Sequence, residues 1–266
     1  MDQGNVVGPV CLTIAGFDPS GGAGILADSR TFIDFGCSPA AAVTSLTFQN
    51  DRAVFGATHQ SPEIVREQVK AIVGQSQVAA VKTGMLPTIE IVREVAQLIR
   101  QFQLPAPVVD PVLQSSSGFQ LMEPDAITVL LSDLMPLVRV ITPNIPEVEQ
   151  LTGLRIEDDE GMRAGARKLR EIGARAVLVK GGHRYRTASG RERVQEATDL
   201  LDDGGDVTFF RGEWIDAPPV RGTGCMLSAA MAACLAKGMR LEAAVGAAKK
   251  YVTDRLRTRY FELVTH

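Results

Sequence analysis

The stretch Ala217-Pro218-Pro219-Val220-Arg221-Gly222-Thr223-Gly224-Cys225 ends in a tight glycine loop. It runs directly into Met226–Ala236, which has no charged side chain and predicts a buried helix. Glycines let backbone amides approach a ligand closely, and a helix N-terminus carries about half a positive charge. The loop therefore predicts an anion site, suited to a phosphate in transfer, whose field favours the thiolate of Cys225. The alternative is an ordinary helix cap followed by a small buried cysteine.

The length of the chain is ordinary for a single large α/β domain, which we expect to cover residues 1–266. Apolar residues make up 45% of the 266 residues, and the net charge of −3 is the opposite of what a nucleic-acid-binding protein needs. No uncharged apolar run reaches the roughly 18 residues of a membrane helix, and Met1–Asn5 lacks the pattern of a secretory signal. The four cysteines form no C-x-x-C pair, so neither a zinc site nor a disulfide framework is expected. These features predict a cytoplasmic protein without membrane or nucleic-acid partners.

Apolar runs and helical periodicity alternate along the chain, which implies a parallel sheet covered by helices on both faces. The late cluster of strands predicts an antiparallel edge, and the polar segment Tyr185–Arg193 predicts a solvated hairpin tip. The predicted strands are Val10–Ala15, Ala40–Leu46, Ala79–Thr83, Val108–Val109, Val138–Ile141, Ala176–Val179, Thr198–Leu201, Val207–Phe210 and Trp214–Asp216. The predicted helices are Ile25–Phe35, Pro62–Gln75, Thr88–Gln103, Ile145–Thr152, Met162–Ile172, Gly224–Ala236 and Leu241–Thr258.

Polar side chains fall at or just after the ends of six predicted strands. In parallel α/β proteins ligands bind at the carboxyl ends of the strands, so these side chains are candidates for one site. The glycine-rich turn Gly16–Gly24 after the first strand matches neither the dinucleotide pattern G-x-G-x-x-G nor a P-loop. The candidates are Asp18, Gln49, Lys82, Asp110, Asn144, Glu147 and Lys180.

Seven motifs in one order together resemble the hydroxymethylpyrimidine/phosphomethylpyrimidine kinases of thiamine biosynthesis, within the ribokinase-like superfamily. The resemblance runs from about Leu12 to about Thr253. It implies a three-layer α/β sandwich with a mostly parallel central sheet flanked by helices, and an enzyme that uses ATP and Mg²⁺ and forms a homodimer. The motifs are Ala15–Gly24, Gln49-Asn50, Lys82–Leu86, Asp110-Pro111-Val112, Thr142–Glu147, Lys180–His183 and Gly222–Cys225.

The resemblance also implies a reaction and a role for each matching residue. ATP would phosphorylate 4-amino-5-hydroxymethyl-2-methylpyrimidine and then its monophosphate, with Gly222, Thr223, Gly224 and Cys225 as the catalytic loop. Gln49 would pair with the aminopyrimidine edge through a donor and an acceptor. The other substrate-binding positions would be Gly16, Asp28, Met85 and Val112. The nucleotide would be bound by Asn144, Lys180, Gly222 and Gly224. The metal would be bound by Asp110 and Glu147, partly through waters.

The sequence departs from the family pattern at several positions and leaves alternatives open. Arg221 and Met226 stand where His and Thr are usual, Phe17 replaces a hydroxyl residue, and Ser116 stands where Lys is frequent. A pyridoxal kinase of the same superfamily is the nearest alternative, although the flap at Gln114–Gly118 lacks the second cysteine of some such kinases. A sugar kinase would carry Asp in place of Cys225. A non-catalytic binding protein would not need the metal and phosphate residues.

Overall fold

A single nine-stranded sheet forms the centre of the structure, a computed structural model that describes residues 8–182, 196–213, 215 and 221–264. Along the sheet the strands follow the order β3-β2-β1-β4-β5-β6-β7-β8-β9. In chain order they are β1 (Val10–Phe17), β2 (Ser38–Gln49), β3 (Val54–His59), β4 (Val78–Thr83), β5 (Val108–Val109), β6 (Val140–Ile141), β7 (Ala176–Val179), β8 (Glu196–Asp203) and β9 (Asp206–Glu213).

The strands from β2 through β7 in the sheet order are parallel to one another, while β3 at one edge and β8 and β9 at the other are antiparallel. The predicted mostly parallel sheet with a late antiparallel edge is therefore confirmed. Because the parallel strands share one direction, the carboxyl ends of β1, β2, β4, β5, β6 and β7 lie along the same border of the sheet.

Helices cover both faces of the sheet. They are α1 (Gly24–Asp34), α2 (Pro62–Val73), α3 (Ile89–Gln101), α4 (Pro124–Val129), α5 (Ile145–Thr152), α6 (Asp159–Ile172), α7 (Thr223–Ala236) and α8 (Leu241–Val264). After α4 the chain continues through a π-helical turn and a short 3-10 turn to Leu137. In the described residues no helix is long and apolar enough to cross a membrane.

Strand alternation divides the buried residues between two layers. Leu12 and Ile14 of β1 pack with helices α2 to α6, whereas Cys11 packs with α1, α7 and α8 on the opposite face. Val177 and Leu178 of β7 divide in the same way. Successive side chains of a strand point to opposite faces, so strands buried on both sides read as continuous apolar runs.

Helix α7 is the central helix of its layer, and small residues allow it to lie close to the sheet. Ala229, Ala230, Ala232 and Ala233 are completely buried and form one cluster with the residues of strands β1, β4, β5, β6 and β7 on that face. Apolar residues surround the helix on all sides, which explains why Met226–Ala236 has no polar stripe. The close packing fixes the N-terminus of α7, and with it the glycine loop, against the sheet.

Most predicted elements are present, with bounds that differ by a few residues. Strand β3 and helix α4 were not predicted from the sequence. The hairpin tip Tyr185–Arg193 and, apart from Ile215, the strand Trp214–Asp216 fall outside the described residues.

Candidate active site

Two glycine loops from opposite ends of the chain meet backbone to backbone. Gly222, the N-cap of α7, has a φ of +76°, and a Cβ atom there would lie 2.0 Å from the carbonyl oxygen of Gly22. Gly24, which begins α1, has a φ of +60°, and its Cβ would lie 2.3 Å from the carbonyl oxygen of Gly16. Only glycine fits these positions, because any side chain would collide with backbone.

The N-terminus of α7 presents its first amides without a side-chain cap. Gly222 supplies no capping side chain, and the first helical hydrogen bond runs from the Met226 amide to the Gly222 carbonyl at 2.8 Å. The amides of Thr223, Gly224 and Cys225 precede that bond and have no acceptor within the helix. Together with the helix dipole they form a concentrated set of donors for an anion.

A lysine and a carboxylate flank these amides. The Nζ atom of Lys180, just after β7, lies 2.8 Å from Oδ1 of Asp110, just after β5. A Cβ at Gly224 would be 3.2 Å from the Lys180 Nζ and 3.5 Å from the other Asp110 oxygen. Thr142 donates its hydroxyl to Asp110 at 3.3 Å. The carboxyl ends of β5 and β7, on either side of β6, therefore place both charges directly against the loop.

Asn144 and Glu147 form a capping box at the start of α5. The Glu147 amide donates to Asn144 Oδ1 at 2.9 Å, and the Asn144 amide donates to Glu147 Oε2 at 2.7 Å. This reciprocal pairing explains the spacing of the motif, since a capping box requires an acidic residue three positions after the cap. Burial raises the pKa of Glu147 to about 7; Lys180 opposes the shift and Asp110 adds to it.

A fully buried ion pair lies beneath the loop. Lys82 Nζ is 2.8 Å from Asp28 Oδ2, and Thr13 donates its hydroxyl to the same oxygen at 2.6 Å. Neither charged side chain is exposed, and Asp28 Oδ1 has no hydrogen-bond partner among the described residues. Burial by itself would lower the pKa of Lys82, but Asp28, Cys225 and Asp110 raise it above its usual value. Lys82 is therefore protonated.

Burial opposes the predicted thiolate of Cys225. Burial raises the pKa of Cys225 to about 11, and Asp28 and Asp110 add to the shift, whereas Lys82 and the Gly24 amide oppose it. Desolvation of the charged form outweighs the field of the helix N-terminus at this half-buried position. The balance of these effects favours the thiol over the thiolate.

The predicted substrate-binding residues lie around the first loop and the ends of β2 and β4. A Cβ at Gly16 would be 3.1 Å from the Met85 sulfur, so Met85 packs directly on this glycine. Gln49 is the last residue of β2 and is half-buried, as is Val112, two residues after Asp110. The structure thus brings these side chains to the same border of the sheet as the glycine loop.

Three contacts of this region were not predicted from the sequence. Arg221 donates hydrogen bonds to the Gln49 side chain and to the Asn50 carbonyl. Lys82 was predicted as a polar residue at a strand end and as the start of a family motif, but its pairing with Asp28 was not predicted, although a lysine within the apolar run Val78–Thr83 indicates a buried partner. Asp18 stabilises its own turn by accepting hydrogen bonds from Ser20 and from the Ala23 amide.

A glycine anion loop at a helix N-terminus, with a lysine and a carboxylate against it, on a mostly parallel nine-stranded sheet defines a kinase with the ribokinase-like fold. The match to the phosphomethylpyrimidine kinase model covers residues 18–264. The chain therefore belongs to the phosphomethylpyrimidine kinase family, which confirms the resemblance seen in the sequence.

Individual relatives agree with this family. The hydroxymethylpyrimidine/phosphomethylpyrimidine kinase of Streptomyces coelicolor is 42% identical over 251 residues, which cover 94% of this chain and 90% of that protein. The crystal structure of phosphomethylpyrimidine kinase from Clostridium difficile has a TM-score of 0.79 at 34% identity, covering 93% of this chain and 99% of the other. An ADP complex of Bacillus subtilis pyridoxal kinase has a TM-score of 0.81 at 35% identity, covering 92% and 90%.

Proposed function

We propose that this kinase transfers the γ-phosphate of ATP to the hydroxymethyl group of 4-amino-5-hydroxymethyl-2-methylpyrimidine, and then a second phosphate to the monophosphate. The observation that carries the proposal is the position of the Lys180–Asp110 pair against Gly224, beside the uncapped amides of α7. The relatives that bear the name of this activity cover most of the chain.

The glycine loop would act as the anion hole for the transferring phosphoryl group. In a loose transition state the negative charge is spread over the phosphoryl oxygens, so catalysis depends on positioning and electrostatic stabilisation. The amides of Thr223, Gly224 and Cys225 supply donors that need no reorganisation during the reaction. Lys180 adds a positive charge beside them and would contact the nucleotide phosphates.

The donor set of the site fits a magnesium ion held mainly by water and phosphate oxygens. Asp110 and Glu147 interact electrostatically and offer carboxylate oxygens, the ligands that Mg²⁺ prefers. Within the described part of the chain no group of three or more acidic, histidine or cysteine side chains could hold a metal by itself. The bound ion would neutralise phosphate charge, while Asp110 and Glu147 would orient its water ligands.

Gln49, Met85, Val112 and Gly16 would hold the pyrimidine, with Asp28 below them. Met85 and Val112 supply apolar surface, and the absence of a side chain at Gly16 lets Met85 pack directly on the backbone there. Cys225 follows the anion hole at the start of α7. As a thiol it would orient the hydroxymethyl oxygen towards the phosphoryl group rather than act as a preformed base.

The test of the proposal is an ADP-release assay with Mg-ATP and three candidate acceptors: the pyrimidine alcohol, its monophosphate and pyridoxal. We expect both pyrimidines to provoke ADP release. Pyridoxal is the second candidate, since the pyridoxal kinase of Bacillus subtilis shares the fold at 35% identity, and we expect at most a side activity. ADP release with pyridoxal alone would refute the thiamine-pathway assignment.

We also propose a homodimer, formed through the hairpin of β2 and β3 at the edge of the sheet. Phe48 and Phe55 are 54% and 67% exposed on this hairpin, and Leu46 is 43% exposed. Exposed aromatic residues grouped in this way are typical of interaction sites. Light scattering should give twice the chain mass, and Phe48→Ser with Phe55→Ser should give the monomer. A wild-type monomer would contradict this arrangement.

The chain's cysteines support a reducing, cytoplasmic location, which we propose on that basis. All four are free thiols, and Cys11, Cys37 and Cys234 are buried. Mass spectrometry of the protein purified from cells without reductant should find the four thiols unmodified; an internal disulfide would argue for another compartment.

A further inference from the structure

Arg221 links the anion loop to the end of strand β2. Its Nη1 atom donates to the Asn50 carbonyl and its Nη2 atom donates to Oε1 of Gln49, a residue 172 positions away in the sequence. Because Arg221 directly precedes Gly222, the backbone of the loop and the side chain of Gln49 are held together by one guanidinium group.

The charge of Arg221 is not neutralised by these contacts. Both acceptors are neutral oxygens, and no carboxylate forms an ion pair with Arg221 within the described ranges. A half-buried guanidinium held by two fixed oxygens is rigid, since its planar fork is pre-organised for such pairs. The contact therefore restrains Gln49 more firmly than a flexible lysine would.

This contact determines whether the carbonyl oxygen or the amino group of the Gln49 carboxamide faces Arg221. A guanidinium has donors only, so the atom that faces Arg221 must be the carbonyl oxygen and not the amino group. Without Arg221, the carboxamide could turn by half a rotation and exchange its donor and acceptor ends. With Arg221, the order of donor and acceptor is fixed.

The two candidate rings differ in the group next to the hydroxymethyl carbon. In the aminopyrimidine, an amino donor is adjacent to the hydroxymethyl carbon and a ring-nitrogen acceptor follows it. In pyridoxal, a formyl acceptor stands in place of that amino donor, and the phenolate oxygen, also an acceptor, stands in place of the nitrogen. A carboxamide in one orientation matches only one of these patterns, and the unmatched pattern leaves buried polar groups unpaired.

We propose that Arg221 is a positioning residue that locks the Gln49 carboxamide in the orientation that fits the aminopyrimidine and mismatches pyridoxal. The inference rests on the proposed function and assigns substrate selection at the ring to the residue that precedes the anion loop. The remaining lone pair of Oε1 accepts from the ring amino group, and the Gln49 amino group donates to the ring nitrogen.

The test compares wild type with Arg221→Met, Arg221→Lys, Gln49→Ala and the double variant Gln49→Ala/Arg221→Met. Steady-state kinetics with the pyrimidine alcohol, its monophosphate and pyridoxal gives kcat and KM for each acceptor, and calorimetry without nucleotide gives the affinity for the alcohol. Arg221→Met should raise KM and Kd for the alcohol about tenfold, the scale of one lost charge-assisted hydrogen bond, with kcat nearly unchanged. In Arg221→Met the preference for pyrimidine over pyridoxal should fall by a similar factor, and Arg221→Lys should retain part of that preference. In the Gln49→Ala background, Arg221→Met should have no further effect.

Several results would overturn the role of Arg221. Equal losses for both rings, or an additive loss in the Gln49→Ala background, would show that it does not act through Gln49. A loss confined to the monophosphate would make Arg221 a phosphate contact instead. Unchanged ADP affinity and melting temperature in Arg221→Met exclude general unfolding as the cause. A wild type that binds the pyrimidine alcohol but transfers no phosphate refutes the proposed function alone, and one that binds neither ring refutes both.

Discussion

Two sets of effects shift the pKa of Cys225 in opposite directions. The N-terminus of α7 and Lys82 favour its thiolate, while burial, Asp28 and Asp110 disfavour it and raise its pKa to about 11. The sequence reveals the helix end but not the depth of the residue, so the predicted preference for the thiolate did not include the opposing effect of burial.

The two possible roles of Cys225 can be separated by comparing Cys225→Ala with Cys225→Ser. A residue that orients the substrate hydroxyl can be replaced in part by serine, which keeps a hydrogen-bonding atom. We expect Cys225→Ala to lower kcat by roughly 100-fold or more, the low end for a lost acid–base or positioning group, while Kd for the pyrimidine is unchanged. Cys225→Ser should recover at least a part of the turnover in the ADP-release assay. A serine variant as inactive as the alanine variant would instead indicate proton transfer to sulfur.

The buried pair Lys82–Asp28 should contribute strongly to stability. Lys82→Met leaves the Asp28 carboxylate without its cation in a site with no exposed surface, which typically costs about 3–5 kcal/mol. Urea unfolding should show this loss, and the double variant Asp28→Leu/Lys82→Met should recover most of it.

The matched control for Lys82→Met is Lys70→Met, which breaks the ion pair of Lys70 with Glu67 on the surface of α2. Its unfolding free energy should change by less than about 0.5 kcal/mol. If the two variants were equally stable, the buried pair would be without structural importance.

Residues of the site differ in how far the sequence determines them. Asn144 and Glu147 could be placed from the sequence, because a capping signal and a strand end occur together. The Arg221–Gln49 contact could not, since it joins residues 172 positions apart and depends on how the two loops pack. A contact between residues so far apart in the chain produces no periodic pattern in a single sequence.

At the scale of elements, the start of α5 combines a structural and a chemical task. Its capping box satisfies the first amides of the helix and at the same time fixes the Glu147 carboxyl beside Asp110 and Lys180. Glutamine at the same position keeps the box but removes the charge. The two tasks can therefore be separated experimentally.

The stability of wild type should decrease relative to Glu147→Gln as the pH rises from about 5 to 7. The pKa of Glu147 is about 7 in the folded chain and near 4.5 when the chain is unfolded. Between these values only the unfolded chain is ionised, so each pH unit costs wild type about 1.4 kcal/mol, and the difference levels off above pH 7. Urea unfolding of both proteins in EDTA measures it; parallel curves would mean that Glu147 titrates normally.

Gly222→Ala should disrupt the loop, because its Cβ would lie 2.0 Å from the Gly22 carbonyl oxygen. Gly118→Ala is the control: it also has a positive φ, +86°, but nothing lies within 4 Å of its Cβ. We expect Gly118→Ala to cost only the roughly 1–2 kcal/mol of the left-handed conformation. Gly222→Ala should lower turnover by at least about tenfold in addition, through a shift of the anion hole that is worth more than 1.4 kcal/mol. Equal turnover of the two variants would refute the importance of the contact.

The bounds of helices and strands with strong local sequence signals could be predicted closely, whereas elements without such signals were missed. Helix α5 and strand β7 agree with the prediction to the residue, since a cap and a short β-branched run define them. Strand β3 was missed because it is an edge strand, largely exposed, with a glycine at its centre. Its pairing with β2 depends on a neighbour and not on its own pattern.

For the whole molecule, the nine strands share one sheet whose two faces belong to different helical layers. The helices of one layer cannot detach from the sheet without exposing one face of strands whose other face is covered by the second layer. Within the described residues the two layers therefore share one sheet, and the single domain of residues 1–266 stays a prediction.

We expect urea unfolding to be one cooperative transition. Far-UV circular dichroism and the alkylation of the buried Cys11, Cys37 and Cys234 should give the same midpoint. ADP should shift both midpoints together, because a ligand that binds only the folded state stabilises the entire cooperative unit. Midpoints that separate, or a shift in one probe alone, would show that the two layers unfold independently.

The late position of α7 in the chain has a consequence for synthesis. A ribosome makes β1 through β7 long before it releases α7 and α8, which cover one face of those strands. Until then Cys11, Ala80, Val108 and Leu178 face water in the growing chain, together with the other apolar residues of that face. The nascent protein thus passes through a stage in which a large apolar surface is exposed. Chaperones are expected to be needed most immediately before the last two helices emerge.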